Sequence, residues 1–202
     1  MSRTRVLKCN KAYPNKDIII KAAHVIMSGG VIVYPTDTLY GLGGSPSFLH
    51  VKKKIYQIKK RCYSKPFPLI IGHRNMLEKL NLQVSHLANK LMDHFWPGPL
   101  TIIMPCNDGG SLGVRLPNEP IAAMISLMAE TPIIATSANI SGNPNSSNPE
   151  EIICDIGCGI DLFLDAGILP FSIGSTIVDV TKDEIKIIRS GQLPENKILN
   201  II

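Results

Sequence analysis

Short apolar runs alternate along this chain with segments of helical period, and that alternation constrains the fold most. Val31–Tyr34, Leu69–Ile71, Leu100–Met104, Gly113–Leu116, Ile133–Thr136, Leu162–Leu164 and Ser175–Val180 have strand length and are bounded by turn residues. Between them, Asp17–Met27 reads as a helix stopped by Ser28-Gly29-Gly30, and Ser47 is placed to cap a helix through Lys60. The apolar face of that helix is assigned to Leu49, Ile55 and Ile58. Ser85 opens a helix that Trp96-Pro97-Gly98-Pro99 breaks after Phe95, Ile121–Met128 is an apolar helix, and Asn148 caps Pro149–Ile156. Ser175–Val180 and Ile185–Arg189, joined around Lys182-Asp183, read as a hairpin. Helix–strand alternation closed by a hairpin predicts an α/β fold with a mixed sheet flanked by helices.

At 202 residues, with no repeat and no dividing linker, residues 1–202 are expected to form one domain. Hydrophobic residues at 45% against 18% charged exclude a disordered chain. The formal net charge of +5 suits an anionic ligand without singling one out. Five cysteines with no C-x-x-C pair argue against a disulfide framework. Cys154 and Cys158 are spaced to share a helix face, but no second ligand pair follows, so buried free thiols are expected and no metal site. The first sixteen residues lack an apolar core, and no run approaches the roughly 20 apolar residues of a membrane span, which predicts a soluble, cytoplasmic protein with no membrane partner.

No phosphate loop, dinucleotide fingerprint, zinc-protease helix or Gly-x-Ser-x-Gly elbow is present, and Gly41-Leu42-Gly43-Gly44 only approximates a glycine-rich loop. What remains is polar clusters at the ends of apolar strands, where ligand crevices form in open α/β sheets. Tyr34–Leu42 carries Thr36, Asp37 and Thr38; a plain turn is the bland explanation. Lys59-Lys60-Arg61-Cys62-Tyr63-Ser64-Lys65 places four cations in seven residues, either a solvated helix end or a grip on polyphosphate. In that grip arginine would present a planar fork and lysine a mobile point charge. Ala135–Gly142 follows a strand with Ser137 and Asn139 in S-x-N spacing, suited to a small polar ligand or a nucleotide. Arg115 and Arg189 lie within strands, where an internal salt bridge is the ordinary explanation. The loop Ser141–Pro149 is either a lid or a surface connection. A triphosphate carries about four negative charges, and each cation at about 4 Å contributes on the order of 4 kcal/mol before desolvation at an effective dielectric near 20. Convergent cations could therefore replace a phosphate loop.

Taken in order, Tyr34–Leu42, Lys59-x-Arg61 with Lys65-Pro66, Trp96–Thr101, Gly113–Pro117, Ala135–Gly142 and Ser175–Asp179 resemble the successive motifs of the YrdC-like domain, across Tyr34 to Gly191. The resemblance implies a twisted sheet around a large, positively charged cavity. It also implies a short, single-domain L-threonylcarbamoyladenylate synthase, a nucleotidyltransferase that makes threonylcarbamoyl-AMP and pyrophosphate from L-threonine, bicarbonate and ATP. A separate transferase complex would then modify a tRNA adenosine. By the same resemblance Lys59 and Arg61 are the catalytic pair, and Lys59, Arg61, Lys65, Ser111, Asn139, Ser147 and Arg189 hold ATP. Thr38, Arg115, Ser137 and Ser175 hold threonine, with Arg115 on its carboxylate, and Mg²⁺ is expected on the polyphosphate, held largely by ATP itself. The alternatives are a paralogue with another substrate, or a non-catalytic module for double-stranded RNA or tRNA. Only 5% of residues are aromatic, which counts against single-strand recognition.

Overall fold

The first helix, α1 (Lys16–Met27), starts where the Asn15 side chain accepts a hydrogen bond from the Asp17 backbone N–H. It stops at Ser28, and Gly29, at φ +74°, carries the chain away in the left-handed region. This computed structural model describes residues 4–63, 66–182 and 184–201.

Where one mixed sheet was expected, two are found, both mixed. The first contains β1 (Arg5–Lys8), β9 (Leu162–Asp165), β2 (Ile32–Tyr34), β3 (Gly41–Gly43) and β8 (Thr136–Ser137), in that spatial order. The second runs β11 (Lys186–Arg189), β10 (Thr176–Asp179), β5 (Leu100–Pro105), β6 (Ser111–Arg115), β4 (Leu69–Ile70), β7 (Ile133–Ile134). Residues 133–136 do not form a single strand. The chain leaves the second sheet after Ile134, and at Ala135, whose N–H donates to the Pro68 carbonyl, it passes into the first. The terminal hairpin is present, with β10 and β11 antiparallel; Asp183 of its turn lies outside the described residues.

Helices α2 (Leu49–Ile58), α3 (His86–Phe95), α4 (Pro120–Met128), α5 (Pro149–Ile156) and α6 (Glu195–Leu199) complete the described structure with a 3-10 turn over Arg74–Leu80. Strand β2 shows how the first sheet is covered. Val33 enters a core with Val51 and Ile55 of α2 and Ile152 and Ile156 of α5. Ile32 and Tyr34 enter the opposite core with Ile19, Ile26, Ile121 and Ile125 of α1 and α4.

The second sheet divides its faces differently. Leu100, Ile102, Met104, Val114 and Val178 pack against Leu91 and Met92 of α3 and Ile198 of α6. The alternate residues Thr101, Ile103, Ser111, Gly113, Arg115 and Ile177 face a cavity instead. Period-two alternation thus builds a core on one face and a site on the other.

Several local expectations change. Helix α2 begins after Phe48 with no side-chain cap, because the Ser45 hydroxyl accepts from the Ser47 N–H and holds Ser47 in the preceding turn. Leu49 is 66% exposed; the buried face of α2 is Val51, Ile55 and Tyr56. None of the five cysteines forms a disulfide, but Cys62, Cys154 and Cys158 are exposed rather than buried; on α5, Cys154 lies on the face away from buried Ile152 and Ile156. Gly41–Gly43 pairs antiparallel with β2, so it is the return strand of a hairpin and not a strand-to-helix phosphate loop. No helix among the described residues is long and apolar enough to cross a membrane.

At Gly43 the first sheet comes into close contact with the second. A Cβ there would stand 1.9 Å from the Ile134 carbonyl oxygen, a backbone atom that cannot move aside cheaply. Gly43→Ala is expected to destabilise the protein by about 3 kcal/mol, the upper range for overpacking. A lowered urea midpoint with unchanged slope would register it, and an unchanged midpoint would contradict the packing described.

Candidate functional site

A cavity of about 490 Å³ opens between the two sheets. Its described lining brings together Thr38, Lys59, Arg61, Ser111, Arg115, Ser137, Asn139, Ser175 and Arg189 from stretches far apart in sequence. Four of these are basic, and the described lining contains no aspartate or glutamate.

The loop after β2 supplies Thr38. Thr36 organises it: its hydroxyl accepts from the N–H groups of Thr38 and Leu39, at 3.1 Å each, and donates to the Leu39 carbonyl. Arg115, projecting from β6, then ties this loop to the second sheet. Its Nη1 donates to Thr38 Oγ1 at 3.1 Å, its Nε to the Gly98 carbonyl at 2.9 Å, and its Nη2 is paired with Asp37. The second Asp37 oxygen accepts from the Asn118 N–H. Burial pushes the Arg115 pKa down, and Asp37 opposes that shift. The internal salt bridge considered from sequence is therefore real, yet Arg115 also lines the cavity, and two of its five N–H groups are not used by these contacts.

Lys59 and Arg61 share the cavity although residues two apart on a helix point nearly opposite ways. The turn between them resolves this. The Lys60 N–H donates to the Gln57 carbonyl and the Arg61 N–H to the Tyr56 carbonyl, with Lys60 at φ +48°. That is a Schellman ending with lysine in the position that glycine usually takes, and it swings Arg61 back beside Lys59.

Lys59 is not the mobile point charge expected. Only 2% exposed, it donates to Ser137 O at 2.7 Å, Asn139 O at 2.8 Å and Asn139 Oδ1 at 3.1 Å, using all three N–H groups. It fixes the S-x-N segment: Ser137 Oγ donates to Asn139 Oδ1, and Asn139 Nδ2 donates to the Asn143 carbonyl. Burial, and then the neighbouring Arg61 charge, lower its pKa to about 8.

Arg61 is held loosely by comparison. Its guanidinium carbon lies 4.7 Å from the centre of the Phe67 ring, Nη2 reaches the Pro66 carbonyl only at 3.4 Å, and its buried Nε has no partner. Across the cavity Arg189 donates through Nε and Nη2 to the Ser175 carbonyl, and Nη2 also to Ser175 Oγ. Ser175 Oγ lies 3.0 Å from Thr101 Oγ1.

Two expected residues stand apart. Lys65 lies outside the described residues. Ser147 is not among the lining residues, because its carbonyl is tied to the Leu169 N–H farther along the loop. Ser141, Gly142 and Asn145 of the same loop do reach the cavity. Beyond the residues the sequence assigns to ligands, the structure adds Asp37, Thr101 and Phe67. Asp37 belongs to the polar cluster after Tyr34, and Thr101 occupies an alternate position of an apolar strand, which is a readable signal; nothing local marks Phe67 as a partner of Arg61.

A protein-family profile for Sua5/yciO/yrdC, described as telomere recombination, matches residues 24–191. A Methanocaldococcus jannaschii protein named putative threonylcarbamoyl-AMP synthase is 35% identical, with 86% of this chain and 85% of the relative covered. Pyrococcus abyssi Sua5, solved in complex with L-threonine, superposes with a TM-score of 0.90 at 29% identity. The match takes in 98% of this chain but 61% of that one, so the present chain spans about three fifths of P. abyssi Sua5. Escherichia coli YciO, of similar length, superposes with a TM-score of 0.84 at 27% identity over 96% of this chain and 98% of YciO.

The Asp37–Arg115 pair offers a direct structural test. Asp37→Ala strands a buried guanidinium and is expected to cost about 3–5 kcal/mol. Combining it with Arg115→Met should recover part of that loss in chemical denaturation; strictly additive losses would show that the pair is not coupled.

Proposed function

We propose that this chain, which belongs to the Sua5/YciO/YrdC family, is an L-threonylcarbamoyladenylate synthase, a nucleotidyltransferase using L-threonine, bicarbonate and ATP. The observation that carries the proposal is the cavity between the sheets, whose described lining holds four cations, several hydroxyls and no carboxylate. Such a lining favours a polyanion and offers nothing to repel it.

On this proposal residues 1–202 act as one YrdC-like domain in the cytoplasm. The threonine carboxylate takes the N–H groups of Arg115 that Asp37, Thr38 and Gly98 leave unused, and the Thr38, Ser137 and Ser175 hydroxyls surround the amino acid. Lys59, Arg61, Ser111, Asn139 and Arg189 hold ATP, with Lys65 and Ser147 assigned to the same group from the motif order. Threonine and bicarbonate condense to a carbamate with loss of water. A carbamate oxygen then attacks the α-phosphorus, the bond from that phosphorus to the bridging oxygen breaks, and pyrophosphate leaves. Positioning and charge stabilisation drive such a step, so no nucleophilic side chain is required. The product is a reactive mixed anhydride, consumed on this proposal by a transferase complex acting on tRNA.

Magnesium would arrive on the phosphates. The described lining offers no carboxylate, and no cluster of three His, Cys, Asp or Glu residues that could hold a metal occurs among the described residues, so these side chains do not fit a protein-held ion.

Mass spectrometry of the products from ATP, L-threonine and labelled bicarbonate tests the assignment. Labelled threonylcarbamoyl-AMP and pyrophosphate, dependent on all three substrates, are expected. ATP turnover that ignores threonine would overturn it. Lys59→Ala with Arg61→Ala should abolish nucleotide binding while the fold persists. Loss of RNA affinity with product formation intact would instead favour an RNA-binding module.

Lys59 adds a pH signature. Its pKa near 8 in the free protein lies below the ordinary 10.5, so the charged form is disfavoured until an anion arrives. Bound ATP should raise that pKa, with uptake of about half a proton at pH 8. ATP affinity should therefore fall as pH rises above 8. Calorimetry at pH 8 in two buffers of different ionisation enthalpy reads the uptake, and identical heats would rule it out.

A further inference from the structure

We propose that Phe67 is a positioning residue for Arg61: its aromatic face fixes the guanidinium at the cavity wall so that the arginine meets ATP in one orientation. The inference rests on the proposed assignment of Arg61 to ATP.

Arginine brings five N–H donors to a site but also a long, flexible stem. Lys59 is immobilised by three hydrogen bonds, and Arg189 by three to Ser175. For Arg61 the structure gives one long contact, Nη2 to the Pro66 carbonyl at 3.4 Å, and Nε is buried with no partner. Something other than hydrogen bonding must hold its plane. The Phe67 ring is what lies there, with its centre 4.7 Å from the guanidinium carbon, within the range where the negative face of an aromatic ring attracts a cation.

The ring is itself fixed. Phe67 is buried in the core beneath α2, and the Tyr56 ring lies 4.4 Å from it at an interplanar angle of 33°. Tyr63 lies 4.5 Å beyond Tyr56. Phe67 lines both the cavity and a neighbouring groove of about 350 Å³, yet it is only 7% exposed, and a cation–ring contact is stronger where water is largely excluded. A hydrogen-bonding carboxylate in this place would fix Arg61 too, but it would cancel the charge. An aromatic ring orients the cation and leaves its N–H groups for phosphate oxygens.

The distinguishing feature is the sign of the ring's electrostatics rather than its bulk. Replacing Phe67 by 4-fluoro-, 3,5-difluoro- and 3,4,5-trifluorophenylalanine nearly preserves shape while draining the negative face step by step. ATP binding to the full chain, by titration calorimetry, should weaken progressively across the series. Phe67→Leu should weaken it about three- to thirtyfold, the span of reported cation–ring contributions. Phe67→Tyr, which keeps the ring, should restore most of the affinity. Thermal unfolding in parallel monitors the fold, and the fluorinated series stands even if the leucine variant is unstable. A flat response to fluorination, with Arg61→Ala still abolishing ATP binding, would overturn the role of Phe67 and leave the function intact. Unchanged ATP binding in Arg61→Ala would overturn both.

Discussion

A buried ammonium group holds this site together. Lys59 ends α2 inside the protein, and its three N–H groups go to oxygens of Ser137 and Asn139 beside the first sheet. No carboxylate is among its described hydrogen-bond partners, and dipoles alone are a weak answer to a desolvated charge, as the lowered pKa indicates. The arrangement is stable in spite of its cation because the surrounding cores compensate. It is therefore left with an unmet preference for an anion. The same contacts set the position of Ser137, of Asn139 and of the loop beginning at Ser141, whose N–H returns to the Lys59 carbonyl. One strained turn at Lys60 then adds Arg61 to the same space.

Arg115 solves the opposite problem. It too is buried, but Asp37 neutralises it, and its contacts to Thr38 and Gly98 join the β2 loop to the second sheet. A paired cation contributes directional N–H groups with little net field, which suits recognition of one small carboxylate. An unpaired lysine and a ring-held arginine contribute field, which suits a polyphosphate. The cavity thus combines a cation that a carboxylate neutralises, Arg115, with cations that none does, a difference the residue types alone do not reveal.

Much of this was legible before the fold was known. Helices with side-chain caps appeared where Ser85 and Asn148 placed them, because a cap is a local interaction between near neighbours. The hydroxyl and cation clusters converged as strand-end position implied. What could not be read depends on partners distant in the chain. Residues 133–136 look like one strand, and only the competing edges of β4 and β3 divide them at Ala135. Gly41–Gly43 lacks β-branched residues, and close approach to the Tyr34 ring at Gly41 and to the Ile134 backbone at Gly43 selects its glycines instead. Ser47 has the right chemistry for a cap but is held by Ser45. Strand β1 and helix α6 owe their form to pairing with β9 and burial of Ile198, which short polar segments do not announce. The split of cations into paired and unpaired likewise needs Asp37, seventy-eight positions from Arg115, to be seen in place.

The absence of acidic residues from the described lining bears on how such a site can work. A carboxylate would pair with a cation, lower the desolvation cost of the empty cavity and compete with every phosphate that entered. Leaving it out makes the unoccupied site less comfortable and the occupied one more so, which is the direction that binding requires. The difference must be financed by packing elsewhere, and the second sheet shows where. The strands that present Thr101, Ser111 and Arg115 to the cavity bury Leu100, Ile102, Met104 and Val114 on their other face. Because the two faces alternate residue by residue along the same strands, the side chains that stabilise the sheet also fix the register of those that face the ligand. A one-residue slip would exchange them, placing polar groups in the core and apolar groups in the site, so stability and the arrangement of the cavity are specified by a single pattern.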